Sequence, residues 1–311
     1  MERAGVPEAR QTAKARVQQL LGEALGQVRP GTCPGGAECS SCHTARLPAA
    51  APPNRPVRGP RPRRESIGTV TDSPAPRLVL WDVDRTLLTV GAVSRELYEY
   101  AFTAVIGRLP DTVADMAGRT ELAIITDTLR RNGVAPEPDL LSRFSTALRR
   151  AAEELRPRMR EAGRALPGAH AALEALHRLG AVQTVVTGNL RELAAAKLTV
   201  FDLAARLDLA LGGYGDHSTD RADLVRWAVD RATERYGAAI EPSTVVVVGD
   251  TPHDVRGAHD AGVRAVGVAT GRSSRADLAA AGADGVLDDL ADTAAVVRLL
   301  TEVVRRGAGR R

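Results

Sequence analysis

The sequence predicts an α/β fold: a doubly wound parallel sheet covered by helices, with an all-helical segment inserted after the first strand. Three observations carry this expectation. From residue 78 onward, short β-branched runs alternate with helical patterns, the rhythm of strand-helix-strand units. Most of those runs are continuously apolar rather than alternating, as strands covered on both faces should be. The first two candidate strands lie about 100 residues apart, far beyond the roughly dozen residues that a crossover needs.

The elements follow in order. "LVLW" (78–81) opens the sheet, and "VQTVV" (182–186), "LDLAL" (207–211), "TVVVVG" (244–249) and "RAVGV" (264–268) continue it. Helical patterns occupy 190–200, 221–236, 253–261, 274–281 and 290–305. Inside the insertion, Val93, Leu97, Tyr100 and Ala104 form an apolar stripe over 93–107, and "ELAIITDTLRRNG" adds a second helix closing on Gly133. A third runs from Pro138 through Leu141, Phe144, Leu148 and Leu155 and stops before Pro157. The expected organisation is a tail at 1–77, a core at 78–90 and 166–311, and a helical cap at 91–165.

The sequence pI of about 9.3 suggests a nucleic-acid partner until the charge is located. Residues 1–77 carry 12 Lys+Arg against 6 Asp+Glu, which leaves 30 against 32 for the rest. The basic character therefore belongs to the tail. With 3% aromatic residues and no basic stripe on the helices, nucleic-acid binding has little support. No apolar run approaches the ~20 residues that cross a bilayer, and no export signal opens the chain. A cytoplasmic protein without a membrane partner is expected.

Residues 43–77 are dense in Pro, Arg and small residues and read as a disordered linker. Residues 8–28 could form a weak amphipathic helix. Between the two lie Cys33, Cys39, Cys42 and His43 in "CPGGAECSSCH", which matches a haem-attachment pattern and could make a zinc site. The surrounding Gly and Pro offer no element to orient ligands, so free thiols are the preferred reading and zinc the runner-up.

Ligands of open α/β sheets bind outside the carboxyl ends of the strands. Three of these ends carry small polar or acidic residues: Asp82 and Asp84, then Thr187, Gly188 and Asn189, then Gly249, Asp250 and Thr251. One crevice should collect all three sets.

Together these stretches resemble the haloacid dehalogenase superfamily, its phosphatases in particular. "DVDRTLL" is similar to the first motif, "VVTGN" to the second and "VVVVGDTPHDVRGAHDAG" to the fourth; "MAGRTE" and "LPGAHAALEAL" resemble the helical cap and its return in phosphoglycolate phosphatase-like members. The likeness spans residues 78 to about 305. It implies a Rossmann-like core and a Mg²⁺-dependent phosphatase acting on a small phosphorylated metabolite.

In such an enzyme Asp82 attacks phosphorus, and Asp84 protonates the leaving group and then activates water. The resemblance implies Mg²⁺ held by Asp82, the backbone carbonyl of Asp84 and Asp250, with Asp254 joining directly or through water. Thr187, Gly188 and Asn189 would bind phosphate at the start of the following helix. Two of these positions also have bland explanations. Thr251 with Asp254, and Asn189 with Glu192, have capping-box spacing, so Asp254 and Asn189 could serve only to start helices.

The family's lysine before the fourth motif is absent, and Arg221 stands there. Lys197, the only lysine after residue 77, lies about 10 Å along its helix at 1.5 Å per residue, so Arg221 is the preferred cation. Arg119 in "AGRTE" is a candidate contact to the far end of the substrate. Arg85 stands where the family normally has glycine, and a side chain at positive φ costs about 1 kcal/mol or more. It could swing outward, add a phosphate contact or occlude the site. Two alternatives follow: a phosphomutase, which would require a bisphosphate activator, and a non-catalytic phosphate-binding protein disabled at Arg85. The identity of the ester and the oligomeric state, a homodimer included, are left open.

Overall fold

The computed structural model describes residues 76–237 and 240–308. The expectations for the tail, its helix and its cysteine-histidine cluster lie outside the described residues.

In chain order, β1 (Leu78–Trp81) is followed by β2 (Leu88–Thr89) and four helices, α1 (Val93–Ile106), α2 (Glu121–Arg131), α3 (Pro138–Glu154) and α4 (Arg156–Ala162). The chain returns through β3 (Arg164–Ala165) and continues with α5 (Ala169–Arg178), β4 (Val182–Thr187), α6 (Arg191–Val200), β5 (Gly213–Tyr214) and α7 (Arg221–Tyr236). Then come β6 (Val245–Gly249), α8 (Pro252–Asp260), β7 (Arg264–Val268), α9 (Arg275–Ala280), β8 (Gly285–Leu287) and α10 (Thr293–Ala308).

Six strands form one sheet in the order β5-β4-β1-β6-β7-β8, and every pair in it is parallel. β1 is central because its four residues are apolar and fully buried, a surface that needs cover on both faces and both edges. On one face Leu78, Leu80, Val245 and Val247 pack with Leu224, Val225 and Ala228 of α7 and with Val255 and Ala258 of α8. The chain runs outward from β1 through β4 to β5, then through β6, β7 and β8 on the other side. That reversal opens a crevice at the carboxyl ends of β1, β4 and β6.

The four inserted helices leave and rejoin the sheet domain through an antiparallel ribbon in which Leu88 pairs with Ala165 and Thr89 with Arg164. Apolar periodicity gives them a core of their own. Phe144 of α3 lies 6.0 Å from Tyr98 and 6.3 Å from Phe102 of α1, centroid to centroid, spacings at which aromatic pairs attract. α3 and α4 also pack on α6, which sets the insertion over the crevice.

Terminal chemistry fixes several boundaries. Asp220 caps α7 by accepting from the Ala222 N–H at 2.9 Å, and Thr251 with Asp254 closes a full capping box on α8 behind Pro252. Pro157 sits in the first turn of α4, so it divides α3 from α4 without ending helical structure. Four features had no expectation from sequence: α4, α5, the β2-β3 ribbon and edge strand β8.

One expected strand is absent. Residues 207–211 are irregular, with a turn at 209–210: the Asp208 carboxylate accepts from the Ala210 N–H at 3.1 Å, and the Leu211 N–H donates back to the Asp208 carbonyl at 3.1 Å. An aspartate that satisfies its own neighbours in this way competes with a ladder. The strand that pairs with β4 is instead the two-residue β5.

Candidate active site

The crevice holds a cavity of ≈ 330 Å³ bounded by the sheet ends below and the inserted helices above. Asp82, at the end of β1, is buried. Its Oδ1 accepts from the Arg221 guanidinium at 2.7 Å and its Oδ2 from the Thr86 hydroxyl at 3.2 Å. Arg221 opens α7 and also pairs with Asp254 Oδ1. Asp254 in turn uses Oδ2 for its cap, accepting from the Thr251 N–H at 3.0 Å and the Thr251 hydroxyl at 2.7 Å. The capping and site roles of Asp254 thus coexist, one on each oxygen.

Asp82, Asp250 and Asp254 form a cluster in which one carboxylate oxygen from each lies within 4.8 Å of the other two. The side chain of Asp84 is not among them. One cation for three buried carboxylates leaves excess negative charge, and the acids respond. Burial, aided by the Asp254 charge and opposed by Arg221, pushes Asp82 up to about 7. Burial with the charges of Asp82 and Asp254 pushes Asp250 up to about 9. Burial works against the charge on Arg221, but Asp254 and Asp82 outweigh it and hold the guanidinium above its ordinary value. Gly271 crowds the same acid: a Cβ built there would lie 1.7 Å from Asp250 Oδ2. An all-oxygen set with uncompensated charge suits a hard divalent cation.

Asp84 faces a different environment. It is partly exposed on the cavity wall, and its Oδ2 accepts from Lys197 Nζ at 2.6 Å and from Asn189 Nδ2 at 2.7 Å. Lys197 also donates to Asn189 Oδ1 at 2.8 Å. Two alternatives that the sequence left open are narrowed here. Lys197 is buried at the site despite its place along α6, because side chains on a helix lean toward its N-terminus and a four-carbon stem closes the rest. Asn189 does not cap α6: Leu190 holds that position with no side-chain cap, while the Asn189 amide is engaged by Asp84 and Lys197. Arg221 and Lys197 are both buried and both ion-paired at the site.

Thr187 and Gly188 line the cavity at the end of β4. The Thr187 hydroxyl accepts from Asn189 Nδ2 at 2.7 Å, and the Gly188 carbonyl accepts from the Glu121 N–H at 2.7 Å, which joins the insertion to the sheet end. A side chain at Gly188 would collide with the Arg119 carbonyl, at 2.0 Å. Arg119 lies on the cavity wall, with its guanidinium engaged by Asp127 at 3.0 Å and by the carbonyls of Asp115 and Ala123. His217 stacks on Trp227 and is not among the residues that line this cavity.

Sequence reasoning missed Tyr98 and Glu121, both buried and both on the cavity wall. The Tyr98 hydroxyl donates to Glu121 Oε2, and burial pushes the Glu121 carboxyl up to about 7. Neither is marked by a local pattern, although Glu121 follows Arg119 by two residues in "AGRTE".

Arg85 has φ +66°, the left-handed region that its replacement of glycine implied. The turn is held from both sides, its N–H donating to the Leu88 carbonyl at 2.7 Å and its carbonyl accepting from the Thr270 hydroxyl. The strain of a side chain there and the greater unfolded-state freedom of glycine oppose each other, at roughly 1 kcal/mol each. Arg85→Gly is therefore expected to be as stable as the parent, or more stable by up to about 1 kcal/mol. Urea unfolding checks this, and a clear loss of stability would mean that the guanidinium packs.

A model of the family described as haloacid dehalogenase-like hydrolase matches residues 79–259, more than half of the chain. The chain belongs to the haloacid dehalogenase-like hydrolase family. The match includes Asp82, Asp84, the β4 end, Arg221, Asp250 and Asp254. No curated protein matches. Among solved structures, a hydrolase from Pseudomonas syringae is similar with TM-score 0.53 at 21% identity, over 71% of this chain and 96% of that one. A "predicted phosphoglycolate phosphatase" from Haemophilus somnus gives TM-score 0.53 at 19% identity, over 71% and 97%. CbbY from Rhodobacter sphaeroides, in complex with xylulose-(1,5)bisphosphate, gives 0.53 at 21%, over 70% and 96%. At these identities the likeness is one of fold: the hydrolase carries the α/β architecture of its family's phosphatases.

Proposed function

We propose that this hydrolase is a Mg²⁺-dependent phosphatase that cleaves a small phosphate monoester through an aspartyl-phosphate on Asp82. The observation that carries the reading is the division of labour between two acids one residue apart. Asp82 is buried between a cation and two further carboxylates, while Asp84 faces the cavity, held by a lysine and an amide.

In the first step Asp82 attacks phosphorus as the bond to the leaving oxygen breaks, and Asp84 gives that oxygen a proton. Lys197 and Asn189 fix Asp84 through one oxygen; its Oδ1 accepts no hydrogen bond from the described residues and can carry the proton. In the second step Asp84 takes a proton from water, which attacks phosphorus and releases Asp82. Arg221 keeps Asp82 in place and offsets its charge, and Thr187 with the backbone at Gly188 and Asn189 receives phosphate oxygens. Asp82, Asp250 and Asp254, with the Asp84 carbonyl, would hold Mg²⁺, which when bound neutralises charge on the phosphoryl group. The inserted helices, residues 91–165, act as a cap that excludes bulk water.

The direct test is turnover of an aryl phosphate that requires a divalent cation and stops on chelation. Stability offers a second one. Asp82 and Asp250 bind protons more tightly folded than unfolded, so their contribution is complete below about pH 4 and is lost as pH rises through about 7 and about 9. The metal-free protein should therefore melt at lower temperature at pH 8 than at pH 6. Magnesium should raise the melting temperature more at pH 8, because ligands must be deprotonated to bind. Absence of any magnesium shift at pH 8 would remove that ion from the reading.

A further inference from the structure

The cavity wall carries six cationic side chains: Arg85, Arg95, Arg119, Lys197, Arg221 and Arg272. Five of them face a carboxylate. Arg95 pairs with Glu99 at 2.7 Å, Arg119 with Asp127 at 3.0 Å and Arg272 with Asp115 at 3.2 Å. Lys197 and Arg221 are held by Asp84 and Asp82. Of these six, the Arg85 guanidinium alone has neither an ion-pair partner nor a hydrogen bond among the described residues.

Its backbone makes the same point from another side. Arg85 is exposed, so no packing offsets its left-handed φ, yet two hydrogen bonds hold the turn in that conformation. Strain that persists at an exposed residue on a site wall points to a role for the side chain. An arginine is always charged and presents a planar fork that matches carboxylate and phosphate oxygens. Asp84, next in the chain and on the wall of the same cavity as Arg85, is the acid assigned to the leaving group.

We infer that Arg85 selects phosphate monoesters whose leaving group carries a second anionic group, a carboxylate or a phosphate. This rests on the phosphatase reading. Three esters built on the same two-carbon chain test it: 2-hydroxyethyl phosphate, phosphoglycolate and ethane-1,2-diol bisphosphate. The parent enzyme with Mg²⁺ should show kcat/KM at least about tenfold higher for one or both anionic esters, a modest value for one charge-assisted contact. The better of the two identifies the anion.

In Arg85→Gln the ratio of anionic to neutral ester should fall toward one, through KM, and Arg85→Lys should recover part of it. Equal kcat/KM for all three esters in the parent, or a ratio unchanged in Arg85→Gln, overturns the inference while leaving the phosphatase reading intact. Faster cleavage of all three esters by Arg85→Gly also overturns it, because the side chain would then be an obstruction. If the parent cleaves neither these esters nor an aryl phosphate, the phosphatase reading fails. Wherever the three esters are not cleaved, calorimetric binding decides the inference: a parent preference for the anionic esters that Arg85→Gln loses supports it, and equal affinities sink it.

Discussion

Asp82→Asn should lower turnover of any phosphate ester by about 10³-fold or more, the scale on which enzymes lose rate when a covalent nucleophile is removed. Asparagine matches the shape of aspartate: its carbonyl oxygen can accept from Arg221 in place of Oδ1 and its amide N–H can donate to the Thr86 hydroxyl in place of Oδ2, so the site should persist. What it cannot do is form an aspartyl-phosphate, the acyl phosphate that water then hydrolyses. The stability effect runs the other way. Burial and the neighbouring Asp254 already push the Asp82 carboxyl up to about 7, which means that its charge is disfavoured in the metal-free fold. At pH 8 the neutral amide should leave the metal-free protein as stable as the parent or more so. A catalytic residue predicts lost activity with retained or improved stability; a structural one predicts loss of both. Phosphate release assays beside urea unfolding separate the two, and residual activity of several per cent would exclude Asp82 as the nucleophile.

The sequence made the strand ends legible because each β-branched run stops abruptly at a residue too polar to bury alone. Asp82, Thr187 and Asp250 follow from that rule, and a parallel sheet then brings them together whatever the intervening loops do. Residues whose roles depend on direction were harder to read. Distance along the axis of α6 made Lys197 look remote, although its lean toward the helix start carries Nζ to Asp84. Capping-box spacing at Asn189 and Glu192 met a stronger competitor, since a buried carboxylate and a buried ammonium both claim the Asn189 amide. "LDLAL" has the apolar content of a strand, but Asp208 turns it back on itself. Tyr98 and Glu121 lie on the buried side of α1 and at the start of α2, and nothing local to those helices reveals that this side looks onto a crevice rather than an ordinary core.

The other large effect is expected at Arg221. Its guanidinium is the cation that contacts the cluster of Asp82, Asp250 and Asp254 among the described residues, bonding Asp82 and Asp254 directly, and it is itself 8% exposed. Arg221→Met fills similar volume without charge, so the apolar stem's packing survives while three buried carboxylates lose their counter-ion. Removing one partner of a buried pair costs about 3–5 kcal/mol. The cost should depend on pH in a defined direction. At pH 5 the raised acids Asp82 and Asp250 are largely protonated and the deficit should be at its smallest; at pH 8 Asp82, pushed up to about 7, carries charge while Asp250, pushed up to about 9, is still mostly protonated, so the deficit should be larger at pH 8 and grow further above pH 9. Magnesium should return part of the stability at pH 8 by substituting for the lost cation. Arg221→Lys keeps a charge but only a point charge in place of a fork, so it should hold one carboxylate and fall between the two. Urea unfolding of the three proteins at pH 5 and pH 8, with and without magnesium, reads all of this. If Arg221→Met loses less than about 1 kcal/mol at pH 8, the range of an exposed ion pair, then the acids do not depend on this guanidinium, and the electrostatic account of the cluster would have to be rebuilt around another cation.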